Sequence, residues 1–135
     1  MKTAGYSGTP LYKKLGIKSG QTAWFSGAPE GYNSELLKIG PFAISRKLTP
    51  NLDFLHFFTS SRAELSREFP KLRTALKADG MIWISWPKKS SGVATDLDEN
   101  IVRDLGLKAG LVDVKVCAVD ETWSGLKFVF RLKDR

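Results

Sequence analysis

The segment between residues 81 and 97 carries the side chains best suited to bind a ligand. Met81 to Trp86 is an apolar run that predicts a buried strand ending at Pro87, and a loop with two lysines, two serines and a glycine follows it. A loop at the carboxyl end of a strand lines the ligand crevice of an open α/β sheet. Ammonium groups, hydroxyls and free backbone N–H groups can together hold an anion. We therefore expect ligand contacts from Trp86, Lys88, Lys89, Ser90, Ser91 and Gly92.

The acids that follow this loop favour a second interpretation. Asp96 and Glu99 have the spacing of a capping box, which predicts a helix beginning beside them. Carboxylates from Asp96 and Asp98 would stabilise the positive end of that helix and would oppose a bound phosphate there. The alternative is therefore a solvated connection whose acids only cap the helix. If an anion does bind, Lys88 and Lys89 must hold it from the side.

Three other segments are candidates for the remaining walls of the crevice. The first ten residues are rich in Gly, Ser, Thr and Pro, and we expect this irregular segment to fold back so that Tyr6 and Ser7 contact the ligand. Trp123 lies in the turn between the last two predicted strands, where its ring either stacks on a ligand or packs in the core. Gly27 to Gly31 follows the first strand, where a nucleotide-binding loop would lie. It lacks the G-x-G-x-x-G pattern, and Pro29 has no N–H to donate.

Residues that could perform catalysis are sparse. His56 is the only histidine and lies in an apolar run, so we expect a hydrogen-bonded core residue more readily than a base. Cys117 is the only cysteine, and we expect an inert core thiol. One histidine and one cysteine do not provide a zinc ligand set, and no G-x-S-x-G motif is present. We assign no catalytic residue, no metal and no cofactor, and whether the protein is an enzyme stays open.

Composition and charge bound the classes of partner. The chain has 135 residues, of which 42% are hydrophobic and 26% charged, which is typical of one globular domain spanning residues 1–135. One cysteine and the absence of a leader predict the reducing cytoplasm, and the apolar runs are too short for a membrane helix. The net charge is +7, and the first 50 residues hold seven basic and only two acidic side chains. This excess favours an anionic small molecule, an acidic protein surface or nucleic acid, unless it only aids solubility.

The order of predicted elements indicates an α/β fold. Apolar runs predict strands at residues 21–26, 52–59, 81–86, 112–119 and 126–132, and residues 40–51 are expected to be a surface connection. Helices are predicted from Asn33 or Ser34 to Leu37, from Ser61 to residues 77–80 with a kink or restart at Pro70, and from Asp96. Alternation of this kind predicts a three-layer Rossmann-like sandwich of about five strands. The sheet is mostly parallel and closes with an antiparallel C-terminal hairpin.

Several stretches resemble an uncharacterised bacterial family, catalogued as domain of unknown function number three thousand and fifty-two. The resemblance covers nearly the whole chain and implies a small bacterial protein without an assigned activity. It is carried by residues 4–11, 13–18, 85–92, 95–97, 110–120 and 123–129.

More faintly, the chain resembles a shortened S-adenosylmethionine (SAM)-dependent methyltransferase. The stretches at residues 15–25 and 76–85 are similar to the entries to two strands of that fold, and the final hairpin is similar to its ending. Two strand–helix units are expected to be missing, including the strand whose acid binds the cofactor ribose. Residues 27–31 replace the glycine-rich cofactor turn. The resemblance therefore implies a Rossmann-like scaffold that has lost cofactor binding.

The sequence supports one leading function and two alternatives. The leading hypothesis is a non-enzymatic binding or regulatory module whose crevice takes an anionic ligand or a partner protein. The first alternative is an enzyme acting on a small phosphorylated or nucleotide-like substrate, with Lys88 and Lys89 holding the anion. The second is nonspecific nucleic-acid binding through the amino-terminal basic excess.

Overall fold

The computed structural model describes residues 8–135, and within them six strands and four helices follow one another along the chain. Short 3-10 turns cover residues 37–39, 89–91 and 132–134. The elements are α1 (Leu11–Leu15), β1 (Thr22–Ser26), α2 (Tyr32–Leu36), β2 (Ala43–Ile44), β3 (Leu52–Phe58), α3 (Arg62–Ala75), β4 (Leu76–Pro87), α4 (Glu99–Lys108), β5 (Leu111–Ala118) and β6 (Trp123–Phe130).

The six strands form one sheet in the order β2-β1-β3-β4-β6-β5. Strands β2, β1, β3 and β4 are parallel, whereas β6 runs antiparallel to both β4 and β5. This arrangement confirms the predicted Rossmann-like α/β fold with its closing antiparallel hairpin.

The sixth strand is a correction to the predicted surface connection at residues 40–51. Ala43 and Ile44 pair in parallel with β1, because Ala43 N–H donates to the Gln21 carbonyl (2.9 Å) and Ser45 N–H donates to the Ala23 carbonyl (2.7 Å). Both strand residues are exposed. A two-residue strand without a buried side chain leaves no hydrophobic pattern, which explains why the sequence did not reveal it.

Helices α3 and α4 pack on one face of the sheet. Glu64 N–H donates to Ser61 Oγ (3.1 Å), which confirms the predicted start of α3. The helix continues through Pro70 without restarting. Leu65, Phe69 and Leu72 point into the larger core, whose other members come from β3, β4, α4 and the final hairpin.

Residues 77–80, which were predicted to end the helix that starts at Ser61, are instead part of β4. Helix α3 ends at Ala75, and Leu76 already pairs with Leu52 of β3. The register then shifts, so that the next pair joins Phe54 to Met81. A β-carbon on Gly80 would lie 2.9 Å from the Asp53 carbonyl oxygen, and this close approach requires glycine.

Helices α1 and α2 pack on the opposite face. Trp83 of β4 is fully buried there, and its indole N–H donates to the Leu15 carbonyl (2.8 Å) at the end of α1. This bond fixes α1 against the middle of the sheet. Among the helices in residues 8–135, none combines the length and apolar character that a bilayer span requires.

Candidate functional site

The parallel strands bring their carboxyl ends to one edge of the sheet. From β1 the chain crosses to β2 on one side, and from β3 it crosses to β4 on the other side. Ligands of open α/β sheets bind outside the carboxyl ends of strands, where the connections diverge in this way. Here that point lies at the ends of β1 and β3.

A cavity of about 490 Å³ opens beside this point, at the carboxyl ends of β1 and β2. Its volume falls within the range of about 300–1,000 Å³ that is usual for small-molecule sites. The walls come from the end of β1, the loop after it, the first turn of α2 and the end of β2. The lining residues are Phe25, Ala28, Pro29, Gly31, Asn33, Ser34, Ile44, Ser45 and Arg46.

One side of the cavity is apolar. The half-buried ring of Phe25 stands beside Ala28 and Pro29, and Ile44 across the opening is 44% exposed. An exposed isoleucine in a concave wall loses its contact with water when a ligand covers it, and this favours binding of a flat apolar group.

The other side provides unsatisfied polar groups. Arg46 is exposed, and no carboxylate within residues 8–135 forms an ion pair with it. The side chains of Asn33 and Ser34 make no hydrogen bond to the described part of the chain. None of the nine lining residues is acidic. The cavity therefore has one net positive charge and polar groups that a ligand can reach.

The loop between β1 and α2 turns tightly enough to leave this space open. Gly27 has a φ of 73°, and a β-carbon there would lie 2.8 Å from the Phe58 carbonyl oxygen, so any side chain at this position would collide with β3. Gly31 has a φ of 83° and leads directly into α2. Ala28, Pro29 and Gly31 of this loop line the cavity. The interpretation of residues 27–31 as a nucleotide-binding loop stays a prediction, and the G-x-G-x-x-G pattern is absent.

A buried chain of polar side chains lies beneath the cavity. Tyr32 is the first residue of α2, and its hydroxyl is 2.5 Å from His56 Nδ1. His56 Nε2 lies 2.7 Å from Ser85 Oγ. The ring of Tyr32 also meets Phe25 edge to face, with centroids 5.0 Å apart. The chain thus ties α2 and the cavity wall to β3 and β4.

This buried chain connects the cavity wall to the sheet and is closed to solvent. Burial lowers the pKa of His56 well below its ordinary value, so the imidazole is neutral and accepts one hydrogen bond while donating the other. Burial, followed by the charge of Cys117, raises the pKa of Tyr32 well above its ordinary value. Tyr32, His56 and Ser85 have no exposed surface. The prediction that His56 is a hydrogen-bonded core residue is confirmed.

The predicted binding loop after β4 has a different arrangement. Ser91 Oγ donates to the Lys88 carbonyl (2.6 Å), and Gly92 ends the short turn with a φ of 75°. Lys89 and Ser90 are exposed at the tip of this turn, and Lys88 is half-buried. None of these residues lines the 490 Å³ cavity. Their role in ligand binding stays a prediction.

The acids after this loop do not both cap the following helix. Asp98 is the N-cap of α4, accepting from Ile101 N–H (2.8 Å). Asp96 instead accepts from Arg62 N–H at the start of α3 (2.8 Å). The predicted capping box of Asp96 and Glu99 is therefore wrong. The loop folds across to β3, where Thr95 Oγ1 donates to the Ser60 carbonyl (2.7 Å), and this brings Asp96 to the neighbouring helix.

The remaining predicted contacts are separated in space. Trp86 is buried in the core between the sheet and α3–α4, whereas Trp123 is half-buried on the α1 face against Phe58. Their side chains therefore lie on opposite faces of the sheet. Tyr6 and Ser7 lie outside the described residues. Within residues 8–135 no three His, Cys, Asp or Glu side chains lie together as a metal site.

No family model matches the sequence, and a search of curated proteins gives no match. The bacterial family suggested by the sequence is therefore not confirmed. Solved structures do match, and three methyltransferases are among them. A putative type 11 methyltransferase from Sulfolobus solfataricus has a TM-score of 0.65 at 15% identity, covering 90% of this chain and 89% of that one. A SAM-dependent methyltransferase from Aquifex aeolicus has a TM-score of 0.63 at 15% identity, covering 87% and 86%.

A magnesium protoporphyrin IX methyltransferase from Synechocystis with bound SAH is similar with a TM-score of 0.56, at 10% identity over 84% of this chain and 75% of that chain. These likenesses show a methyltransferase-like fold, which confirms what the fainter resemblance implied about the fold. At these identities they show the fold alone.

The lining does not fit SAM itself. The resemblance implies that the cofactor ribose is bound by an acid on a strand that the sequence predicted to be missing. The short edge strand β2, which pairs with β1, ends without an acid. Ser45 and Arg46 occupy the positions after it. An arginine there adds positive charge near a ligand whose sulfonium is already positive, and no lining carboxylate compensates for it.

Proposed function

We propose that the protein binds a small anionic, nucleotide-like molecule in the cavity at the carboxyl ends of β1 and β2. One observation carries the proposal: Arg46 lines a concave, partly apolar site and has no carboxylate partner within residues 8–135. A guanidinium presents a planar fork of donors that matches a phosphate or carboxylate. An arginine near this position accommodates a phosphate on the ribose in related α/β nucleotide sites.

The apolar side of the cavity accounts for the rest of the ligand. A flat ring can lie between Phe25 and Ile44, while Asn33 and Ser34 remain free to bond its polar edge. Nucleotides combine these two chemistries in one molecule. None of the lining side chains is a histidine, cysteine, lysine or carboxylate that could serve as a general base. For this reason we propose that the cavity binds its ligand and does not convert it chemically. We also propose that the protein is located in the cytoplasm.

A thermal-shift panel tests this function. Adenosine, adenosine phosphates, a 2′-phosphorylated dinucleotide, SAM and SAH are compared, since a ligand that binds only the folded state raises the melting temperature. We expect the phosphorylated members to raise it and adenosine to raise it less. Arg46→Gln should weaken phosphate-dependent affinity by about tenfold or more, because a hydrogen bond to a charged group contributes about 1.5–3 kcal/mol.

The neighbouring lysine offers a matched control. Lys47 is exposed and does not line the cavity, so Lys47→Gln removes the same charge and should leave the affinity unchanged. Equal losses in the two variants, or no shift with any phosphorylated compound, would overturn the proposal.

Methyl transfer is the second candidate, because the fold is methyltransferase-like. A shift with SAM and SAH that exceeds the shift with nucleotides would favour this candidate over the first. Incorporation of label from methyl-labelled SAM into an acceptor would establish it.

A further inference from the structure

A cluster of lysines lies at the other edge of the sheet from the cavity, where the final hairpin meets the end of α1. Strand register places Lys115 of β5 beside Lys127 of β6, and Cys117 beside Gly125. Cys117 packs against the core under α1, so these side chains face the α1 side of the sheet. Lys14 and Lys18 approach from the end of α1, and Lys88 approaches from the end of β4. We call these five residues the hairpin lysine cluster.

Direct contacts show that the cluster is assembled in space. Lys115 Nζ donates to the Lys14 carbonyl (2.9 Å), and Lys14 Nζ donates to the Ala118 carbonyl (3.4 Å). Lys127 Nζ would lie 3.7 Å from a β-carbon placed on Gly16, which sets it against the end of α1. Lys14 and Lys115, which are 101 positions apart in the chain, therefore form part of one basic surface.

The electrostatic effects on two neighbouring groups agree with this geometry. Burial lowers the pKa of Lys127, and the charges of Lys115 and Lys18 lower it further. Burial raises the pKa of Cys117, while Lys115, Lys14 and Lys88 act in the opposite direction. The five ammonium groups repel one another, and a bound polyanion would relieve this repulsion.

The acidic side chains of the hairpin form no ion pair with Lys18, Lys88, Lys115 or Lys127 within the described residues. Asp113 accepts from Arg103 Nε (2.9 Å), and Asp120 accepts from the backbone N–H groups of Thr122 and Trp123. Glu121 is exposed in the turn. Within the described chain, Lys18, Lys88, Lys115 and Lys127 form no ion pair with a carboxylate.

We propose that the hairpin lysine cluster binds the phosphate backbone of single-stranded nucleic acid. The surface extends along β6 from Lys127 to the turn beside Lys88, about 13 Å at the usual rise per strand residue. A spread of separate charges matches successive phosphates, whereas a small anion needs convergent donors. All five residues are lysines, which contact phosphates as point charges and do not impose base specificity.

The position of Trp123 favours single-stranded over double-stranded nucleic acid as the ligand of the cluster. Trp123, Gly125 and Lys127 alternate along β6 and so point to the same face. Trp123 is half-buried at the end of the cluster nearest Lys88 and keeps exposed surface beside it. Aromatic side chains next to lysines form the stacking platforms of single-strand binding proteins. This site is independent of the cavity and of Arg46.

Fluorescence anisotropy with a labelled single strand of about twelve nucleotides tests the proposal. With about five phosphate contacts, log affinity should fall with log salt with a slope of about −3.5, which is about a hundredfold loss between about 50 and 200 mM salt. The variant Lys115→Gln/Lys127→Gln should reduce the slope to about −2 and weaken binding at low salt. The matched control Lys108→Gln/Lys133→Gln loses two exposed lysines outside the cluster and should bind as the wild type does.

Far-UV circular dichroism must first show that both double variants are folded. The anisotropy results then support or overturn the proposal. Weaker binding in the cluster variant alone supports the proposal. Quenching of tryptophan fluorescence by the strand that is lost in Trp123→Phe supports the stacking contact, since the protein has four tryptophans. Equal losses in both variants would show a diffuse charge effect and overturn it. Binding to a duplex at least as tight as to the single strand, or no binding at low salt, would also overturn it.

Discussion

The carboxyl edge of the sheet carries two loops that use their polar groups in opposite ways. After β4, the hydroxyl of Ser91, the hydroxyl of Thr95 and the carboxylates of Asp96 and Asp98 all bond to backbone groups of the protein. At the ends of β1 and β2, Ser45 Oγ also donates to a backbone carbonyl, that of Lys47 (2.7 Å), but the side chains of Asn33, Ser34 and Arg46 have no such partners within residues 8–135. Residue types that bind anions are present in both places. The side chains of Lys89 and Ser90 in the loop after β4 also have no partner within the described residues, but they line no part of this cavity. The comparison therefore indicates that free polar groups mark a ligand site where they surround a cavity.

The largest expected effect concerns the buried chain beneath the cavity. Tyr32→Phe removes the hydroxyl that lies 2.5 Å from His56 Nδ1 and leaves a buried imidazole nitrogen without a partner. This should lower the free energy of unfolding by about 2 kcal/mol, or the melting temperature by roughly 8 °C. Urea denaturation or calorimetry measures it.

A second tyrosine provides the control for this substitution. Tyr12 is half-buried, and its hydroxyl makes no hydrogen bond to the described residues. Tyr12→Phe should change stability by less than about 0.5 kcal/mol. Similar values for the two variants would show that the buried chain does not support the cavity wall.

The next effect is a dependence on pH that arises from His56. Its pKa in the folded protein is well below the value of 6.5 that it has when unfolded. As pH falls below about 6.5, the unfolded state takes up a proton that the folded state does not, so stability decreases by up to about 1.4 kcal/mol per pH unit. Denaturation midpoints between about pH 5 and 7 measure this slope, and His56→Gln should flatten it. The same slope in both proteins would contradict the assignment.

The smallest expected effect lies on the other loop. Asp96→Ala removes the carboxylate that accepts from Arg62 N–H, which should cost about 1 kcal/mol as the loss of a helix cap does. Asp104 is exposed in α4 and has no hydrogen-bond partner in the described chain, so Asp104→Ala serves as the control and should cost less than about 0.5 kcal/mol. If Asp96→Ala is as stable as the wild type, the hydrogen bond from Arg62 N–H to the Asp96 carboxylate does not stabilise the protein, and the comparison of the two loops loses this support.

The sequence predicted the parts of the fold that leave a local pattern. The apolar runs containing Phe54 and Trp83 predicted the two central strands, β3 and β4. The spacing of Ser61 and Glu64 predicted the start of α3. The cap formed by Asp96 could not be predicted, because its partner Arg62 lies 34 residues away and only the folded loop brings them together.

The cavity was only partly predictable for the same reason. The glycines at 27 and 31 predicted a loop after β1, and this loop lines the cavity. Arg46 follows β2, a two-residue exposed strand that forms through hydrogen bonds to β1. Because β2 has no periodic hydrophobic pattern, the sequence did not predict this strand or the position of Arg46 after it. The composition of the loop containing Lys88 and Ser91 predicted a ligand site there. Composition does not reveal which hydroxyls already form hydrogen bonds within the protein, as Ser91 Oγ does.

Titration of the ¹⁵N-labelled protein with the phosphorylated nucleotide that gives the largest thermal shift tests the central claim most directly. Amide chemical shifts report which loop the ligand contacts. We predict that the largest changes occur at Gly31, Asn33, Ser45 and Arg46, with small changes at Lys89, Ser90 and Gly92. Largest changes in the loop after β4, with the Arg46 region unaffected, would contradict the account and restore that loop as the ligand site.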